Sequence, residues 1–206
     1  MSQAGKGEET MATKYLSCAE TAQYVRRALA AEFPGVKFSV RSKTYSGGAS
    51  IDVRWVDGPR TKEVDPIAKQ YEGGGFDGMI DLKYTRTHYL RADGSTFVCH
   101  DPGTGGSMGS VPSEDNRNLA NVMPEDVQVV RFAADFIFCS RDVSDFDAEY
   151  LSAVTWLYAH CTMDTATRNP NTDMFGNRWV QDIARSMVYD SIKGEDWQAT
   201  FDRRYS

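Results

Sequence analysis

The chain has 206 residues, of which 41% are hydrophobic and 12% aromatic, enough apolar material to bury a core and too much for a wholly disordered chain. Its net charge of -6 is unevenly spread: residues 1–100 carry 14 Lys and Arg against 12 Asp and Glu, and residues 101–206 carry 9 against 17. That balance argues against duplex phosphate wrapping by the second half, and the absence of any run of about eighteen apolar residues argues against a bilayer span.

The polar opening has no apolar core of a signal peptide, so residues 1–14 read as a disordered leader. Ser17-Cys18-Ala19-Glu20 has the form of a capping box, and Ala22, Val25, Leu29 and Phe33 follow at helical spacing until Pro34-Gly35 stops the helix. Val36, Phe38 and Val40, then Ile51, Val53 and Trp55, alternate with polar residues. They form two half-buried strands joined through Tyr45-Ser46-Gly47-Gly48. Val64, Ile67, Ala68 and Tyr71 make a second amphipathic helix, with Pro66 placed in its first turn and Gly73-Gly74-Gly75 ending it. Asp93-Gly94 between Tyr84–Leu90 and Thr96–His100 signals another hairpin, expected to extend the first sheet.

Residues 102–122 are rich in Gly, Pro, Ser and Asn and read as a flexible loop. Val127–Val130 and Phe132–Cys139 form an apolar block whose type the sequence leaves open, with Phe136-Ile137-Phe138-Cys139 favouring a strand by composition. Beyond them, Ser144 to Asp147 resembles a capping box. It opens a helix with Tyr150, Leu151, Val154, Leu157, Tyr158 and Cys161 on its apolar face. Trp179, Ile183, Met187 and Ile192 outline a further helix, and Trp197 and Phe201 a short terminal turn or helix. The fold class expected is α+β: an antiparallel sheet with flanking helices over residues 15–101, and a mainly helical, acidic part over 123–206, packed on the same core or forming a separate domain.

Candidate chemistry is scattered. The four cysteines, Cys18, Cys99, Cys139 and Cys161, form no CxxC pair and suit buried reduced thiols. Cys99-His100 and His160-Cys161 together hold a zinc inventory, but adjacent strand or helix residues diverge too far to serve one ion easily. Gly103 to Gly109 lacks the Gly-Lys-Ser/Thr ending of a phosphate loop and reads as a connector. Asp77 and Asp81 flank a turn in which Asp77 accepts backbone N–H groups while Phe76 and Met79 anchor the loop; as a magnesium site they are short of ligands. No cofactor and no metal is called for, and an enzyme would need Asp77, Asp81 or His100 to converge with other polar groups.

Two sets of residues suit binding instead. Asp142, Asp145, Asp147 and Glu149 present acid to a basic protein surface, and Arg41, Lys43, Tyr45 and Arg54 on the central hairpin present charge and an aromatic ring to nucleic acid. The plainer reading of the second set is a solvated sheet face with Arg41 and Arg54 pairing Asp52.

Tyr15 to Ala22, Phe33 to Ser42, Tyr45 to Trp55, Asp57-Gly58-Pro59 and Phe76 to Met79 together resemble the large polyvalent protein-associated domain 29. The resemblance covers about the first half of the chain. It implies an origin in a phage or conjugative element, whose large polyvalent proteins carry effector, DNA-processing and counter-defence modules, and a cytoplasmic role in the host cell. It supplies no catalytic residue. The expected function is therefore non-enzymatic binding of a host protein or nucleoprotein complex, with counter-defence such as anti-CRISPR or anti-restriction inhibition as its purpose. A nucleic-acid-binding accessory protein is the alternative, and an enzyme of unknown class the second alternative.

Overall fold

A computed structural model describes residues 12–100, 127–163 and 167–205. The expected loop at 102–122, with its Gly103–Gly109 run, and most of the expected leader lie outside the described residues, as do the side chains of Cys99 and His100. Among the described residues the fold is α+β, with five helices, eleven strands and a helical C-terminal part. It divides into two compact units: residues up to Val53 together with Asp65–Cys139, and Arg54–Val64 together with Ser140 onward.

In the first unit, β1 (Lys14–Leu16) leads into α1 (Cys18–Glu32). The capping box forms as read: Glu20 N–H donates to Ser17 Oγ at 3.3 Å, and Ser17 N–H to Glu20 Oε2 at 2.9 Å. Helical spacing then buries Cys18, Thr21, Ala22, Val25 and Leu29 on one side, and α1 packs on β2 (Ser39–Tyr45). Val25 and Leu29, fully enclosed, each contribute about 1.5–3 kcal/mol. β2 and β3 (Gly48–Val56) are joined by a two-residue turn in which Gly47 has φ +87°. They form a three-stranded sheet in the order β2-β3-β9, with β9 running over Phe136–Asp142.

The expected hairpin at Asp93-Gly94 is present as β6 (Thr87–Leu90) and β7 (Thr96–His100), with Tyr89 opposite Phe97. It does not extend the first sheet. Its partner is β8 (Gln128–Phe132), and β8 pairs in parallel with β1, giving a second sheet in the order β1-β8-β6-β7. The presumed single strand 84–90 is also cut at Arg86: β5 (Leu82–Thr85) pairs instead with β4 (Gly74–Asp77). At the centre of the unit the Tyr71 and Phe132 rings meet edge to face at 5.5 Å, and the Tyr71 hydroxyl donates to Gly94 O at 2.8 Å. Burial pushes that hydroxyl's pKa up to about 12.

α2 (Thr61–Lys69) starts within the expected range, but Pro66 is its sixth residue and so lies past the first turn. The three glycines do not cap it; they lead into β4. The reason is the corner between β8 and β9. Ala133 N–H donates to Leu16 O, Gly73 N–H to Ala134 O, Gly74 N–H to Asp135 O and Asp135 N–H to Ala49 O, at 2.8–3.2 Å. Asp135 closes the corner by accepting Ala49 N–H at 3.0 Å and pairing with Lys83 at 2.7 Å. A Cβ on Gly73 would lie 1.7 Å from Phe132 O, and one on Gly75 2.4 Å from the Tyr84 ring. Only hydrogen fits between these backbones.

In the second unit, α3 (Phe146–His160), α4 (Val180–Asp190) and α5 (Trp197–Tyr205) follow the apolar spacing of the sequence. Ala153, Val154, Leu157, Val180, Ile183, Ala184, Met187 and Val188 make the core, against which Tyr150, Tyr158, Cys161, Trp197 and Phe201 pack. Leu151 and Trp179 were expected on apolar faces and are exposed, Trp179 being the residue that caps α4. The short pair β10 (Met174–Phe175) and β11 (Arg178–Trp179) leads into α4. Just before it stands the enclosed Asp173, whose carboxylate accepts from Tyr158 Oη (2.7 Å), Thr167 Oγ1 (2.7 Å), Thr167 N–H (3.1 Å) and Asn169 N–H (3.1 Å). Burial works to raise its pKa, and these donors more than offset it, bringing it to about 2.

The corner makes a sharp contrast between glycines. Gly73→Ala is expected to cost about 3 kcal/mol through backbone overlap, whereas Gly78→Ala, whose Cβ would meet nothing within 4 Å, should stay within about 0.5 kcal/mol of the parent. Urea unfolding midpoints of the two variants check this; equal midpoints would contradict the corner's geometry.

Candidate functional site

The acidic residues singled out in the sequence come together at the head of α3, in the second unit. Asp142 ends β9 and is exposed; Asp145 precedes the helix, and Asp147 and Glu149 lie in its first turn. Carboxylates there also face the positive end of the helix dipole, so the position suits them locally.

What holds this turn is a network with no counterpart in the sequence pattern. Ser144 was read as the cap of α3. Instead Asp145 takes that place without a side-chain cap bond, and Ser144 turns to Asp57, donating its N–H at 2.9 Å and its hydroxyl at 2.6 Å to the carboxylate. A carboxylate is the stronger acceptor, and an Asp at the cap tolerates the left-handed backbone required, with φ +55°. Asp57 is itself left-handed at φ +56°, and its N–H donates to Asp142 O at 2.8 Å. Beneath them Arg141 is buried, its guanidinium donating to the carbonyls of Asp57 (3.3 Å), Tyr189 (3.0 Å) and Ser191 (2.8 Å). Burial draws the Arg141 pKa down, while neighbouring Asp57 supports its charge. Lys193 donates to Ser144 Oγ at 3.0 Å and lies 3.9 Å from both Asp57 and Asp145. The outer carboxylates are thus carried on a rigid frame, with Asp145 partly balanced by one lysine.

The proposed nucleic-acid residues divide. Arg41, Lys43 and Tyr45 are exposed and, at alternate positions of β2, share one of its faces. Arg54 is exposed on β3 and counts with the other unit.

Among the described residues the reactive groups do not gather. Asp77 is enclosed and accepts Met79 N–H at 2.9 Å, the turn role expected of it, while Asp81 is exposed at φ +51°. Phe76 and Met79, expected to anchor that loop, are largely solvent-exposed. His160 stacks on Trp156 at 4.6 Å and bonds its carbonyl, within one helix. Burial raises the thiol pKa of Cys18, Cys139 and Cys161, reaching about 12 at Cys139, which is the opposite of activation. Among the described residues no group of three or more His, Cys, Asp or Glu is placed to hold a metal ion, and no helix is long and apolar enough to cross a membrane.

The Ser144 hydroxyl, then Lys193 and Arg141, hold the Asp57 carboxyl below its usual range. A carboxyl depressed in the folded state stabilises fully above its unfolded value, about 3.9, and the contribution is lost as pH falls through the folded value. Ser144→Ala is therefore expected to lose about 1–2 kcal/mol at neutral pH. The gap to the parent should narrow as pH drops below the ordinary Asp value, as read by urea melts across pH. A gap that stays constant into acid would contradict the Asp57 pairing.

Comparison with known proteins is consistent with the resemblance seen in the sequence. No curated protein and no solved structure matches the chain. The family model described as large polyvalent protein associated domain 29 matches residues 16–144, from the end of β1 to Ser144, and so takes in both partners of the Asp57–Ser144 bond but not α3, α4 and α5. With more than half of its length matched, the chain belongs to the large polyvalent protein associated domain 29 family, a family of phage and plasmid polyvalent proteins.

Proposed function

We propose that this protein serves its mobile element by binding, in the host cytoplasm, a host protein or nucleoprotein complex, and that its purpose is counter-defence. The acidic head of α3 is the contact surface, with Asp142, Asp145, Asp147 and Glu149 meeting a basic patch of the partner. The observation that carries this reading is the frame beneath them. Buried Arg141 and the Asp57–Ser144 bond fix the turn, so exposed Asp142, Asp145 and Asp147, with half-buried Glu149, are presented with little ordering cost on binding. Acidic surfaces of this kind steer a basic partner into place and raise its rate of association.

Of the acid excess beyond residue 100, residues 101–126 hold five carboxylates and one arginine, while residues 140–206 hold eleven against seven Lys and Arg. With Arg54–Val64 included, the second unit holds thirteen carboxylates against ten Lys and Arg, so it is only modestly acidic as a whole and its binding power rests on the local cluster rather than on a general field.

Neutralising the cluster as Asp142→Asn, Asp145→Asn, Asp147→Asn and Glu149→Gln should leave folding intact, because the four side chains lie outside the core. Parent protein expressed in a restriction- or CRISPR-proficient host should raise the efficiency of plasmid transformation, and should retain a host complex at low salt but not at high salt. The neutralised variant should do neither. If it protects the plasmid as well as the parent does, the acidic head is not the working surface.

A further inference from the structure

β2 is an edge. In the order β2-β3-β9 it has β3 on one side, and no other described strand pairs with it on the other. Of its seven residues only Val40 is buried; Arg41, Ser42, Lys43, Thr44 and Tyr45 are exposed, so both faces of the strand stand in solvent over its second half. An edge strand presents N–H and C=O groups at alternate residues along its open side, ready to pair with another strand.

Two other main-chain N–H groups in the same unit are already taken. Ile137 N–H on β9 is taken by Glu72 Oε1 at 2.8 Å, and Arg86 N–H next to β5 is taken by Gly73 O at 2.7 Å. On β2 one carbonyl is capped: Arg26 Nη2 donates to Val40 O at 2.6 Å. The turn is steadied where Lys83 Nζ donates to Gly47 O at 3.3 Å, so the strand is fixed at both ends and open between them.

The charge on this edge has one sign. β2 contains no carboxylate, and residues 12–53 as a whole carry six Lys and Arg against three Asp and Glu. Arg41 and Lys43 lie two residues apart on one face, about 7 Å in an extended chain. Carboxylates at positions i and i+2 of an added strand would stand beside them at that same spacing. Tyr45 then offers its ring to an apolar residue at the next alternate position.

We infer that β2 is a docking edge for an extended, acidic segment of a partner protein, which joins the sheet as an additional strand. Main-chain pairing supplies the attachment, and Arg41, Lys43 and Tyr45 select the sequence. Nucleic acid would engage the same side chains but leave the row of main-chain groups unused.

The test uses the full chain and NMR-detected amide exchange. The probes are a short peptide alternating Glu with Val, the same composition interrupted by Pro, a Lys-Val counterpart, and oligothymidylate. The Glu-Val peptide should bind and slow exchange of amides within residues 41–45, and the Pro-interrupted peptide, unable to complete a ladder, should not. Arg41→Glu with Lys43→Glu should weaken the Glu-Val peptide about tenfold or more and turn preference to the Lys-Val peptide. As a backbone control, Thr44→Pro should abolish protection while charge is unchanged. Equal binding of the Pro-interrupted peptide would reduce the edge to simple charge attraction and overturn the inference. So would tighter binding of oligothymidylate, which would make this a nucleic-acid surface, and so would absence of binding by the Glu-Val peptide.

Discussion

Everything in the first unit depends on the short corner at Ala133, Ala134 and Asp135. Three residues there exchange main-chain bonds with the end of β1, the start of β3 and the entry to β4, and the Asp135 side chain adds Ala49 and Lys83. A corner that accepts so many backbones at hydrogen-bond distance leaves no space for side chains between them. Gly73 and Gly74 are the sequence's answer to that demand, while Gly75 makes room for the Tyr84 ring. The corner also fixes where β8 and β9 go, one into the sheet with β1 and β6, the other alongside β3.

Features that depend on neighbours along the chain are legible in the sequence. The Ser17–Glu20 cap, the stripe of α1, both Gly-containing hairpins and the three C-terminal helices all follow from signals within a few residues of one another. Features that depend on distant partners are not. Gly73-Gly74-Gly75 has the same letters whether it stops a helix or lets a remote carbonyl approach. Ser144 has the same letters whether it caps its own helix or reaches a carboxylate 87 positions earlier. β1, with three residues, is too short for periodicity to reveal. The acidic cluster could be listed from the sequence, but not the buried Arg141 beneath it, because a lone arginine in an apolar strand gives no sign of the three carbonyls that satisfy it.

The two surfaces differ in how they would achieve selectivity. The head of α3 presents side-chain charge on a frame and would discriminate partners by field and spacing. β2 presents main-chain groups with a few flanking cations and would discriminate by backbone conformation first and charge second. The family match contains the whole of β2 and stops at Ser144, just before most of the acidic cluster. The edge thus lies within the matched domain, and Asp145, Asp147 and Glu149 lie beyond it.

An uncapped edge carries a hazard of its own, since identical molecules could stack through it into oligomers or fibrils. In a two-fold antiparallel arrangement of β2 with itself, Arg41 and Lys43 of one copy would come against the same cations of the other, and like charges set across a ladder repel. The strand is thereby kept from polymerising with its own kind while staying accessible to a foreign chain of opposite sign.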